Sequence, residues 1–101
     1  MTVALQGSHG KPRPALIVQA DIVSPTSHVV VLLLTSEAIE APLLRVAIAA
    51  TGETGLARAS FAMLDRITTA PRAKVGGVIG HADEATMLEI GRRLMLLLGL
   101  A

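Results

Sequence analysis

Residues 29–34 read Val-Val-Val-Leu-Leu-Leu, and Thr35-Ser36-Glu37 close the run abruptly. The run is too short to span a bilayer, which takes roughly 20 apolar residues. Its β-branched start and its length favour a strand over a helix. A strand with no polar alternation has no solvent face, so it is central in a sheet or buried on both sides. The rest of the chain has to cover it. Half of the 101 residues are apolar (51%), enough to build one hydrophobic core, and the whole chain, residues 1–101, reads as a single domain.

Around this strand the pattern is of short strands and turns. Residues 2–5 are β-prone, and 6–14 form a turn-rich loop with two Gly and two Pro (Gly7, Gly10, Pro12, Pro14). Residues 15–19 form an apolar strand, 21–28 a turn or single helical turn, and 43–49 a further strand before a turn at 51–55. Residues 60–67 are again a strand, 72–74 a basic loop, and 75–79 a strand kinked at Gly76 and Gly77. The end is helical: Asp83 suits an N-cap, Glu84 the positive end of the dipole and Gly99 the C′ position. Met87, Ile90, Gly91, Leu94 and Leu98 share one face of that helix, with Glu89, Arg92 and Arg93 facing elsewhere. Several short strands followed by one amphipathic helix make a mostly β (α+β) chain, a small barrel or curled sheet.

Composition excludes several chemistries. The absence of cysteine removes disulfides, thiol nucleophiles and Cys-ligated zinc. The three histidines, His9, His28 and His81, lie in separate loops without metal-ligand spacing, so neither a metal nor a cofactor is expected. Walker, Rossmann and nucleophile-elbow motifs are missing. Basic n-region, long apolar segment and targeting signal are absent too, which predicts a soluble, cytoplasmic protein with no membrane partner. A net charge of +1 nominates no polyanion by itself. Phe61 is the sole aromatic residue. Single-strand binders gain about 1–3 kcal/mol per base from aromatic stacking. An RNA partner would therefore be held by phosphate contacts, hydrogen bonds and shape.

The candidate site residues are few. Arg13 sits between two prolines at the entrance to a strand, where a stiff backbone can present a guanidinium to a phosphate; taken alone, the loop reads as a proline-rich turn with an ordinary surface arginine. Thr35 and Ser36 offer hydroxyls at the end of the core strand, or simply cap it. Asp65 interrupts an apolar stretch and is either a general base or a salt-bridged acid at a sheet edge. Arg58, Arg66, Arg72 and Lys74 face only Asp65 among the acids of residues 58–74, so that segment and the 11–13 loop form a local basic surface or ordinary solvated cations. Lys11 and Arg66 are its substrate-binding candidates, and His9, the histidine nearest in sequence to Arg13, is a further candidate for substrate contact.

Together these blocks resemble the MazF/PemK toxins of type II toxin–antitoxin modules. Gly10-Lys11-Pro12-Arg13-Pro14-Ala15-Leu16-Ile17-Val18 is similar to the family's Gly-x-x-Arg-Pro-x-hydrophobic strand, and Val31-Leu32-Leu33-Leu34-Thr35-Ser36 to its strand ending in Thr-Ser. Gly55-Leu56, Ser60, Asp65-Arg66-Ile67-Thr68-Thr69 and Val78-Ile79-Gly80 follow in the family's order. The resemblance implies an SH3-like small barrel with a C-terminal helix, acting as a homodimer. It implies a metal-independent endoribonuclease that cuts single-stranded RNA at short sequences through the 2′-hydroxyl, leaving a 2′,3′-cyclic phosphate and a 5′-hydroxyl, and that a cognate antitoxin inhibits. Arg13 and Thr35 take the cleavage positions, with Asp65 and Ser36 as helpers, and Thr69 lines the RNA groove. Two other readings stay open. One is a CcdB-like gyrase poison, whose C-terminal Trp this chain lacks. The other is an inactive binding protein of the same fold, suggested by Met63 where some members carry an arginine, and by a start inside the family's first strand. That start also leads to the expectation of a frayed first strand, and of either a functional start upstream of Met1 or a weakened toxin.

Overall fold

The computed structural model describes residues 2–6, 12–18, 27–37 and 43–100. Among the described residues, six strands, β1 (Thr2–Gln6), β2 (Pro12–Ile17), β3 (His28–Thr35), β4 (Arg45–Ile48), β5 (Ser60–Pro71) and β6 (Val75–Gly80), with a single 3-10 turn at Arg72–Lys74 between the last two, precede one α-helix, α1 (Glu84–Leu97). They form one antiparallel sheet in the order β4-β5-β3-β2-β1-β6. The apolar run is an interior strand, as its lack of alternation requires. Leu32 and Leu34 enter the larger core with Leu16, Val46, Ile48, Leu64 and Ile90, whereas Val29 and Val31 join Ala15 and Ala70 on the opposite face.

The sheet curls without closing into a ring. Its edges are β4 and β6, and among the described residues no ladder joins them. β4 has only four residues, so the chain leaves the sheet early for the turn at 51–55. That turn, rather than β4, meets β6: His81 N–H donates to Glu53 O at 2.8 Å. The backbones touch so closely that a Cβ at Gly55 would collide with the Ile79 carbonyl, and one at Gly80 with Glu53 and Thr54. Thr54, buried, braces the turn by donating to Ala49 O (2.8 Å) and accepting from Thr51 N–H (3.0 Å). The expected barrel is therefore a curled open sheet latched by a loop.

Two further expectations change. β1 is not a frayed edge, because it lies between β2 and β6 and pairs with both. In α1, Asp83 caps the start by accepting from Thr86 N–H at 2.7 Å, and Gly99 supplies the positive φ of 73° that ends it. Its buried face is narrower than the periodicity suggests. Ile90 is buried and Met87 and Leu94 pack partly against the core, while Gly91 and Leu98 are exposed together with Leu88 and Met95.

Candidate active site

The site arises where β2 and β3 part. Ladder pairing between them covers Ala15↔Leu33, Leu16↔Leu32 and Ile17↔Val31 and then stops. The next residue of β2 is Pro14, which has no N–H to donate, and Pro12 follows with the same deficiency. Both prolines are instead paired with β1, opposite Ala4 and Gln6. The two strands continue side by side as the prongs of a fork, and extending their register sets Arg13 across from Thr35.

That fork opens into two adjoining clefts, of about 520 and 390 Å³, that share Arg13, Pro14, Leu34, Thr35 and Glu37. The larger adds Ser36, the latched turn at Gly55 and Leu56, and Arg58; the smaller adds Arg45, Met63 and Arg66. Thr35 Oγ1 accepts the N–H of Glu37 at 3.1 Å, which orients the hydroxyl and leaves its own proton to donate elsewhere. Ser60 also borders the larger cleft, but its hydroxyl donates to Arg58 O at 3.0 Å. Among the described residues, arginines thus outnumber carboxylates in both linings. An anion with several acceptor oxygens is the ligand such walls suit.

Of the predicted residues, Arg13, Thr35 and Ser36 are brought together, and Arg66 borders the adjoining cleft. Asp65 is not with them. Between Leu32 and Leu34 the β3–β5 register slips from Ile67 to Ala62, so residues 63–66 bulge out of that ladder. Asp65 lines neither cleft, and its Oδ1 accepts from Arg45 Nη1 at 2.5 Å. The Arg45 hydrogen bond holds its carboxyl below the usual carboxylate range, which makes it a weaker proton acceptor. Of the two readings of Asp65, general base or salt-bridged acid at a sheet edge, the ion pair with Arg45 matches the second. Thr69 is exposed on β5 opposite Val30 and borders neither cleft. Lys11 and His9 lie outside the described residues. Glu37 and Arg45 were not singled out as site residues, and Arg58 only as part of the local basic surface. Arg45 alternates with the buried Val46 and reads as an ordinary edge residue, and Glu37 reads as part of a polar strand end.

Comparison with known proteins agrees with this architecture. The profile of the family described as "PemK-like, MazF-like toxin of type II toxin-antitoxin system" matches residues 1–98. A curated relative from Mycolicibacterium smegmatis (strain ATCC 700084 / mc(2)155), named a probable endoribonuclease MazF, is 41% identical over 101 residues, covering 99% of this chain and 93% of its own. The structure of the toxin MazF-mt6 of Mycobacterium tuberculosis superposes with a TM-score of 0.83 at 22% identity, over 100% of this chain and 99% of that one, which shows the fold. A mycobacterial endoribonuclease in complex with its cognate antitoxin superposes with a TM-score of 0.78 at 27% identity, over 99% and 93% of the two chains. With nearly every residue inside the family's profile, the chain belongs to the PemK-like, MazF-like toxins of type II toxin–antitoxin systems.

Proposed function

We propose that the fork between β2 and β3 is the cutting site of an endoribonuclease, the toxin of a type II toxin–antitoxin module. The observation that carries this reading is the convergence of Arg13 and Thr35 on one cleft at the point where two prolines end the ladder. RNA contains its own nucleophile. The 2′-oxygen attacks phosphorus, the O2′–P bond forms as the P–O5′ bond breaks, and the products are a 2′,3′-cyclic phosphate and a 5′-hydroxyl. The protein has to align the groups and stabilise charge on the phosphoryl oxygens. Arg13 supplies that charge, and Thr35 donates its free proton to a non-bridging oxygen, with Ser36 beside it. The proton leaving O2′ goes to Glu37, the carboxylate bordering both clefts with Arg13 and Thr35. The departing O5′ takes a proton from water. No step needs a metal ion.

The substrate in this reading is single-stranded RNA in the cytoplasm, and residues 1–101 work as one domain. The partners are a cognate antitoxin and a second copy of the chain. The likeness to an endoribonuclease solved with its antitoxin supports the first. The test is single-turnover cleavage of labelled RNA. Arg13→Ala lowers the rate about 10²–10³-fold, the scale of one lost transition-state donor. Arg13→Lys recovers little, because the planar fork of donors is gone. Wild-type cutting by Arg13→Ala would overturn the reading, and so would inhibition of gyrase by a protein that leaves RNA intact.

A further inference from the structure

Arg45 is an expensive residue to place where it is. Its side chain is 9% exposed, yet only Nη1 is accounted for, donating to Leu44 O at 3.0 Å and to Asp65. The buried Nε meets no acceptor among the described residues. A purely structural buried arginine is held by bonds to most of its donors, since an unpaired buried polar group is costly. This guanidinium instead forms part of the wall of the smaller cleft, where Arg13 and Arg66 converge with it and Glu37 is the acid among the described lining residues. Its backbone is fixed from behind, because Arg93 Nη1 donates to Arg45 O at 3.1 Å.

We propose that the smaller cleft binds the phosphodiester next to the scissile one, with Arg45 as its buried cationic wall and Asp65 as the positioning residue that aims Arg45. The proposal rests on the endoribonuclease reading and adds a second phosphate subsite to it. The two clefts share the Arg13–Thr35 wall. A strand whose reacting phosphate lies against that wall therefore carries its neighbour directly into the smaller cleft. The same contacts explain why Asp65 is placed away from the reacting atoms: its carboxylate touches Arg45, which in turn touches the substrate.

The experiment measures the half-saturating concentration of wild-type protein and variants on labelled single-stranded RNA across a KCl series. Each phosphate contact in a single strand contributes about 0.7 to the slope of log affinity against log salt. Arg45→Gln and the exposed Arg66→Gln should each lower that slope by about 0.7 and weaken binding several-fold. Asp65→Asn should reproduce part of the Arg45→Gln effect, and Asp65→Glu should restore it. Two further RNAs carry an uncharged methylphosphonate on one side or the other of the cut. On one of them wild type should weaken to the level of Arg45→Gln, and the variant should lose nothing more. Unchanged slopes in Arg66→Gln and Arg45→Gln, or full additivity of variant and methylphosphonate on both RNAs, would overturn the subsite while leaving the nuclease reading intact. Failure of wild type to cut the unmodified RNA would overturn both. If Arg45→Gln does not fold, Arg66→Gln and the methylphosphonate RNAs decide the matter.

Discussion

The Thr35 hydroxyl accepts from the Glu37 amide, which leaves its own proton available to donate to a ligand. Thr35→Ser should keep most of the cleavage rate, whereas Thr35→Ala should lose at least tenfold without a change in melting temperature. The two acids near the site separate cleanly. Glu37 borders both clefts, and Glu37→Gln should lower the saturated rate about 10²–10⁴-fold, the range for a positioned general base. Asp65→Asn should act on binding and leave that rate nearly unchanged; a collapse of the saturated rate in Asp65→Asn with Glu37→Gln active would reverse the assignment. Arg13 and Thr35 could be read from the sequence because each stands at a chemical break, one between prolines and the other at the end of an apolar run. Asp65 could not be placed, because its position depends on a register slip across two strands. A one-residue shift turns a side chain to the other face, and a single chain's composition carries no sign of which residues are skipped.

The secondary-structure elements were more legible than their pairing. Asp83 and Gly99 bound α1 as their capping chemistry requires. The helix is tied to the sheet mainly through Ile90, which is 1% exposed in the larger core. Ile90→Ala should cost about 2–5 kcal/mol in denaturant unfolding. The latch between the 51–55 turn and β6 makes a second test. Gly55 has φ of 69° and no room for a Cβ against Ile79. Gly55→Ala should destabilise by more than about 1 kcal/mol and lower cleavage, since the same turn walls the larger cleft; equal stability would mean that the turn is free to move away. Glu89 accepts from both Arg92 and Arg93, and the Arg92 hydrogen bond first, then that of Arg93, pulls its carboxyl down to about 2. A depressed folded-state pKa gives stability that is present above the unfolded value of about 4.3 and is lost as pH falls toward the folded one. The melting-temperature gap between wild type and Glu89→Gln should therefore shrink from pH 5 to pH 2.5, and a constant gap would contradict it. The position of β1 inside the sheet was illegible for a further reason: the residue spacing of a strand does not name its neighbours.

For the whole molecule, a formal charge of +1 conceals a sorted surface. Arginines from β2, the 51–60 segment, β4 and β5 reach the two clefts, while Glu89 is occupied on the helix. The sequence revealed a mostly β chain ending in a helix, and its four family blocks revealed the relatives. It did not reveal that the expected barrel is an open sheet latched by a turn, since that depends on β4 ending early. In solution the homodimer reading predicts a mass near twice 10.5 kDa by sedimentation, and a monomer at micromolar concentration would contradict it. The central claim is that this fork cuts RNA by using the RNA's own 2′-hydroxyl. Its most direct measurement places a single 2′-deoxy sugar at the mapped cut site, with EDTA present throughout. The all-ribose RNA should be cut to a 2′,3′-cyclic phosphate and a 5′-hydroxyl, and the deoxy-substituted RNA should stay whole at that position; cleavage of the deoxy substrate, or loss of all cutting in EDTA, would contradict the account.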